Sequence, residues 1–354
     1  MKNDSITIKG RGAQVNTESR FIKQHLVTEH IEGLDEPLEL DEKTQLFYEY
    51  PKKIINKVDS PDLIGFSMNP YQGCEHGCIY CYARNTHQYW GYSAGIDWEQ
   101  KIIIKPNAPE LLEKEFMNKN WESSPIMFSG NTDCYQPVER KMMITRRMLE
   151  VCLKFKNPVS MITKNALILR DIDILKEMAN LRLAHVAISI TSLDEDLRLK
   201  MEPRTATAKN RLKVIEKLSS AGIPVTVMAA PLIPGLNSHE VTEIIKAAAD
   251  HGASGAGFTI VRLNGALGDI FTDWIRKSYP DRADKVLNQI KECHGGTLND
   301  SRFGTRMRGE GNIAESIRQL FISAKKKYMS GRERFEYDLS LFERPNTDKQ
   351  LSLF

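Results

Sequence analysis

From Phe66 to Val261 short apolar runs alternate with amphipathic stretches, and this alternation constrains the fold more than any other feature of the chain. Runs at Phe66–Met68, Ile126–Ser129, Val159–Thr163, Ala184–Ile190, Pro224–Ala229 and Gly255–Val261 read as strands. Helices are predicted between them, near Pro109–Lys119, Lys141–Lys154, Ile168–Ala179, Ala206–Ala221 and His239–His251. An Asn-Ser pair caps the last of these and Gly252 stops it. Six strands over this stretch give one unit every ~33 residues, which suits repeated βα units. Such alternation predicts a parallel sheet with helices outside it. Six units fall short of a closed eight-fold barrel, so an open barrel and a doubly wound sheet both remain. In either, chemistry gathers at the C-terminal ends of the strands, which makes the residues just after each strand the candidates.

The flanks read differently. Residues 1–60 carry no regular pattern, and the acidic stretch Glu29–Glu49 reads as a solvated wrapping segment. Helical stretches near Arg282–Cys293 and Ile313–Lys327 follow the last strand. The predicted organisation is an N-terminal extension (1–60), a core barrel (61–265), a C-terminal helical extension (266–343) and a flexible tail (344–354). With 49 basic and 46 acidic residues the net charge is +3, which excludes nucleic-acid binding by bulk charge alone. Charge is nonetheless uneven: residues 301–354 hold 11 basic and 7 acidic side chains. Arg302, Arg306, Arg308, Arg318 and Lys325–Lys327 form either a phosphate-facing stripe or an ordinary solvated face. No apolar run is long enough to cross a membrane, and the first residues have no secretory pattern, so a cytoplasmic location is expected.

Six cysteines occur, and three fall within eight residues: Cys74, Cys78 and Cys81, in Gly-Cys-Glu-His-Gly-Cys-Ile-Tyr-Cys-Tyr directly after the first strand. Three thiolates on one tight loop suit a cubane cluster whose fourth iron has no protein ligand. A structural zinc site would want four Cys or His ligands in two pairs. His76 is the only nearby supplement, and it lies inside the same loop. Cys134, Cys152 and Cys293 show no second ligand spacing, so a single cluster is expected.

The CxxxCxxC spacing, with an aromatic before the last cysteine, resembles the signature of radical S-adenosylmethionine (SAM) enzymes. The resemblance covers about Phe66 to Val261 and implies an α/β fold of a particular kind, an open partial (β/α)6 barrel. It also implies a 4Fe-4S cluster on Cys74, Cys78 and Cys81, with S-adenosyl-L-methionine chelating the open iron. One-electron cleavage would then give a 5′-deoxyadenosyl radical, the electron coming from a donor such as flavodoxin or ferredoxin. The run CEHGCIYCYAR, with FSGNTDCYQPVE, MITKN, ISITSLDEDLRLKMEPRTA and APLIPGLN at later strand ends, is similar to the spore photoproduct lyase-like, or photolyase-like, subgroup. The N-terminal KGRGAQVN with SRF looks like a subfamily of that group.

SAM offers a carboxylate, an ammonium, a ribose diol and an adenine, so its site needs a cation, small hydroxyl or amide groups, and backbone access. Lys164, at the third strand end, is the candidate carboxylate partner. Ser189 and Thr191 are candidates for the ribose or carboxylate. Asn131 and Thr132 stand where the superfamily often has a Gly-Gly-Glu-like ammonium-binding segment; here the segment is Ser-Gly-Asn-Thr-Asp, with Asp133 as a substitute. Arg204 meets the cofactor, a substrate phosphate or simply Glu202, and Tyr80 packs near the adenine. Cys134 has two readings: a hydrogen-atom donor, as the resemblance suggests with an offset of a few residues, or a partly buried thiol with no catalytic role.

The chain ends Gln350-Leu351-Ser352-Leu353-Phe354 after a polar stretch. This pentapeptide resembles the short motif by which bacterial repair proteins bind the DNA sliding clamp, a peptide-in-groove mode. It can also dock on the protein's own surface. Taken together, the residues predict a radical SAM, lyase-like enzyme acting in DNA repair or DNA modification. Chemistry on RNA, protein or a small molecule is the alternative, and a non-catalytic iron–sulfur or zinc regulatory protein is the alternative of another class.

Overall fold

The computed structural model describes residues 10–17, 44–60 and 63–345. Ten strands are present among these residues: β1 (Gln45–Tyr48), β2 (Ile55–Ser60), β3 (Leu63–Met68), β4 (Tyr71–Gln72), β5 (Lys101–Ile104), β6 (Ile126–Phe128), β7 (Val159–Thr163), β8 (Ala184–Ser189), β9 (Val225–Leu232) and β10 (Gly255–Ile260). Seven form one sheet in the order β10-β9-β8-β7-β6-β3-β2. Every neighbouring pair from β3 to β10 is parallel, and only β2 runs antiparallel, as a hairpin arm on β3. The six parallel strands lie in chain order without reversal. A doubly wound sheet would show a switch point, so the order selects the open barrel.

The expected strands stand within a few residues of their predicted positions. β7 shows why: its residues alternate buried and half-buried, one row facing the barrel interior and one the surrounding helices. The main core forms from such rows and from helix faces, for example Leu112, Phe116, Met148, Leu175, Leu218 and Ile244.

Two helices depart from the sequence pattern. The helix predicted over Lys141–Lys154 is broken into Glu139–Met142 and Ile144–Lys154, with Met143 left-handed at φ 53°. The buried Glu139 carboxylate accepts from the amides of Ile144 (3.0 Å) and Thr145 (3.1 Å) and so caps the second piece. The helix predicted from Ile168 starts earlier, as a 3-10 turn over Ala166–Asp171 capped by Asn165.

The stretch expected to be irregular contributes β2 to the main sheet. It also contributes β1, which joins β5 and β4 in a separate three-stranded sheet. At the other end, the chain after the helix Ala283–Cys293 touches both open edges of the barrel. Met307 accepts from the amide of Ile260 in β10 (2.9 Å), and Arg306 donates to Ser60 Oγ in β2 (2.7 Å). After the long helix Gly311–Met329, an extended segment crosses the N-terminal ends of the strands. Arg332 donates to Ala249 O before β10, Arg182 before β8 donates to Glu336 O, and Arg344 donates to Phe116, Asn118 and Trp121 carbonyls before β6. Phe342 packs there against Phe116 and Phe155. No helix among the described residues is long and apolar enough to cross a membrane. Gln350–Phe354 lie outside the described residues.

Candidate active site

The cysteine loop leaves the C-terminal end of β3 through β4 and closes into a 3-10 helix, Tyr82–Trp90. Cys74 and Cys78 are buried and Cys81 is half-buried. None of the six cysteines is in a disulfide. Burial, then the charge of Asp133 and the neighbouring Cys78 and Cys81 thiols, pushes the Cys74 thiol well above its ordinary range. Burial likewise pushes Cys78 up, while the Lys164 cation is near enough to oppose the rise. Among the described residues no three His, Cys, Asp or Glu side chains converge tightly enough to hold a single metal ion. The donor set itself, three soft thiols coupled on one loop at the strand ends, fits an iron–sulfur cluster that takes one thiolate per iron.

His76 is not available as a fourth ligand. Its Nδ1 lies 3.3 Å from Asp133 and its Nε2 lies 3.1 Å from Asn165 Nδ2. Asp133 in turn accepts from Thr163 Oγ1 (2.8 Å) and from the amides of Lys164 and Tyr135 (both 2.9 Å). Burial alone would raise its pKa. The contact with His76 and the two amides prevail and hold it below the usual carboxylate range. Asp133 thus braces the cysteine loop to the ends of β6 and β7.

Lys164 projects over the face of Tyr80, its Nζ 5.7 Å from the ring centroid. Tyr80 is buried, and its hydroxyl meets Thr191 Oγ1 at 3.1 Å and donates to Glu202. Glu202 also accepts from Thr191 Oγ1 (2.5 Å) and pairs with Arg211, all within a fully buried network. The ion pair expected between Arg204 and Glu202 is therefore replaced by Arg211–Glu202. Arg204 stays over one-third exposed and lies 3.9 Å from Glu75 of the cysteine loop.

The remaining predicted residues are tied to the protein. Ser189 donates to Ala230 O at 3.0 Å, and Thr191 Oγ1, whose proton goes to Glu202, lies 3.2 Å from the same oxygen. Asn131 donates to Gln72 (2.7 Å), and Thr132 donates to Tyr71 O (2.9 Å). Cys134 is fully buried in the main core, its thiol pushed well up by burial and then by Asp133. The structure brings Cys74, Cys78, Cys81, Tyr80, Lys164, Thr191 and Arg204 to one end of the barrel, and it does not open Cys134 to that space. The proposed basic stripe is partly neutralised: Arg302 pairs with Asp300 and Glu310, and Arg318 with Glu315.

Four residues here escaped the sequence reading. Arg84 and Glu99 form a fully buried pair behind the cysteine loop, Arg211 holds Glu202, and Asn237 links Thr191 O (2.7 Å) to Pro231 O (3.1 Å). Arg84 and Asn237 carried a signal, as the last residues of the CEHGCIYCYAR loop and the APLIPGLN strand end; Glu99 and Arg211 carried none.

A family model described as the radical SAM superfamily matches residues 68–248. An uncharacterized protein of Mycobacterium tuberculosis is 29% identical over 234 residues, covering 65% of this chain and 69% of its own length. An uncharacterized protein of Methanocaldococcus jannaschii is 27% identical over 197 residues, covering 56% and 71%. Among solved structures, spore photoproduct lyase complexed with dinucleoside spore photoproduct superposes with a TM-score of 0.61 at 16% identity, over 85% of this chain and 86% of that one. A variant of that lyase with bound AdoMet and dinucleoside spore photoproduct gives 0.60 at 17%.

Proposed function

The chain belongs to the radical SAM superfamily, and from that premise we propose that this enzyme cleaves S-adenosyl-L-methionine at a 4Fe-4S cluster held by Cys74, Cys78 and Cys81, and that it acts on damaged or modified DNA. The observation that carries the cofactor reading is the set of three thiols on one loop at the C-terminal end of a parallel sheet, faced by the Lys164 cation. When bound, the group supplies a carbon-centred radical by one-electron cleavage of the sulfonium.

The chain's own residues prepare that chemistry. Lys164 offers a charge-assisted contact for the cofactor carboxylate, and no carboxylate among the described residues pairs with it. Tyr80 packs in one apolar cluster with Cys78 and, through Thr191 and Glu202, ties the loop to the end of β8. Asp133 and His76 hold the loop from the β7 side. Burial of Cys74 and Cys78 keeps bulk water from the space where a radical would form.

The DNA reading rests on two supports. One is the likeness of the loop and strand ends to the photoproduct lyase group. The other is the terminal Gln350-Leu351-Ser352-Leu353-Phe354, proposed to recruit the protein to the sliding clamp. Since Arg302 and Arg318 already have acidic partners, recruitment by peptide is favoured over attraction by bulk charge.

The test is anaerobic reconstitution with iron and sulfide, followed by electron paramagnetic resonance with and without SAM and assay of 5′-deoxyadenosine after strong reduction. A reduced-cluster signal altered by SAM, with release of 5′-deoxyadenosine, is expected. A colourless zinc protein, or a cluster signal indifferent to SAM, sinks the proposal.

A further inference from the structure

The sequence KGRGAQVN had no assigned part in the chemistry, yet residues 11–16 pack on the Gly95–Glu99 stretch behind the cysteine loop, and Gly12 abuts the loop itself at Gly77. Arg11, Gly12 and Ala13 are buried. The Gly12 amide donates to Glu99 Oε2 (3.0 Å) and the Ala13 amide to Glu99 Oε1 (2.8 Å). Arg11 Nη1 donates to the main-chain oxygen of Glu99 (2.7 Å). The same carboxylate takes Arg84 Nη2 at 2.5 Å, and both side chains are fully buried. Arg84 passes the connection on: its Nε donates to Cys78 O (3.0 Å) and its Nη1 to Gly95 O (2.9 Å). One carboxylate therefore joins the N-terminal segment to the backbone of a predicted cluster ligand.

Steric fit points the same way. A Cβ on Gly12 would stand 1.8 Å from Gly77 O, inside the cysteine loop, and a Cβ on Gly95 would stand 1.9 Å from Val15 O. Only glycine permits these two backbone approaches. Further along, the Asp97 amide donates to Asn16 Oδ1 (3.1 Å) and the Thr17 amide to Ser93 Oγ (2.6 Å). A second connection runs from Arg11 through Thr44 Oγ1 to Glu75, whose Oε1 accepts from Thr44 at 3.0 Å.

We propose that residues 11–17 are a strap that positions the cysteine loop, with Glu99 and Arg84 as the positioning residues that transmit its hold to Cys78. A buried ion pair is weak evidence for net stability but strong evidence for a fixed geometry, since removing either partner strands a desolvated charge. Main-chain donors from a segment more than 80 residues away in sequence supply what a short loop cannot supply for itself. The identity of what the loop holds rests on the cluster reading above; the strap itself does not.

Glu99→Gln removes the charge but keeps the shape, and Gly12→Ala adds a methyl where Gly77 O stands. Hydrogen–deuterium exchange on the full chain without cofactor is the first readout. Peptides covering 74–84 are expected to exchange at least about tenfold faster in both variants, with peptides covering β8 and β9 unchanged. Electron paramagnetic resonance of the reconstituted variants is the second, with an altered reduced-cluster signal and a shifted midpoint potential expected and Glu99→Asp restoring part of the difference. Unchanged exchange at 74–84 in both variants overturns the strap, and so does a uniform rise over the whole chain. If the unaltered protein takes up no cluster, the cluster reading fails while the exchange measurement still decides the strap.

Discussion

Lys164 and Cys134 both follow strand ends in the sequence, and burial separates them. Lys164 lies half-buried over Tyr80, within electrostatic reach of Cys78, with no carboxylate partner among the described residues. Replacing it with Met should therefore weaken SAM binding by about 1.5–3 kcal/mol, the usual worth of a hydrogen bond to a charged group, while iron content stays at the wild-type value. Titration of the cluster signal with SAM checks this. Cys134 is sealed in the core, so Cys134→Ala should cost about 1 kcal/mol of stability by leaving a small cavity, and should leave 5′-deoxyadenosine release intact. A thermal melt beside a single-turnover assay separates the two effects. Loss of SAM cleavage with an unchanged melt would contradict this placement. His87 gives a pH prediction. Burial is the largest influence and lowers its pKa to about 4 against the opposing charge of Asp97; neither ring nitrogen has a hydrogen-bond partner among the described residues. Above its unfolded value of about 6.5 the ring is neutral in both states and adds no pH dependence. Between about 6.5 and 4 the unfolded chain binds a proton that the folded chain refuses, so stability falls as pH falls, by at most about 3 kcal/mol. His87→Phe, seated between Tyr92 and Trp98, should melt progressively higher than the wild-type apoprotein as pH drops from 7 to 5. A difference in melting temperature that does not change with pH would refute this.

At the scale of elements, what the sequence disclosed follows from how each element is solvated. The parallel strands are covered on both sides, and Val159–Thr163 was readable to the residue because its short, largely apolar run alternates buried and half-buried positions between two covered faces. β1 was invisible because all four of its residues are exposed, and β2 because Ile-Asn-Lys-Val-Asp-Ser reads as polar edge. The cysteines were legible through their spacing alone. Glu99 and Arg211 were not, nor was the burial of Arg84 and Glu202 inside their motif stretches, because a lone charged residue is by default a solvated one and nothing in a sequence marks its buried partner. The C-terminal extended segment is the element with most at stake in the fold. It lies across the starts of four strands, and Phe342 seals its end against Phe116 and Phe155. Phe342→Ala should cost about 2–3 kcal/mol, at the low end for a phenylalanine because the ring is only half-buried, and should lower the melting temperature without altering cluster content. Equal losses of stability and iron would mean that this segment also supports the site, contrary to its position at the strand starts.

Across the whole molecule, parallel strands give the barrel two chemically different ends. The cysteine loop, Lys164 and Arg204 gather at one. The C-terminal segment runs along the other and leaves Arg344 anchored to carbonyls that precede β6. The proposed clamp-binding peptide begins six residues after Arg344, and a span of that length reaches about 20 Å when extended. A partner held by Gln350–Phe354 would therefore sit by the strand starts and leave the strand ends open to substrate, so tethering and catalysis should be separable. Removing the last five residues is expected to abolish binding to the bacterial sliding clamp, measured by surface plasmon resonance. It should leave 5′-deoxyadenosine release per iron–sulfur cluster unchanged, and an excess of clamp should not inhibit that release in the intact protein. Inhibition by the clamp would mean that the tail folds back toward the site and that the two ends are not independent. Absence of clamp binding in the intact protein would remove one of the two supports for a DNA substrate and shift the reading toward RNA, protein or a small molecule under the same chemistry.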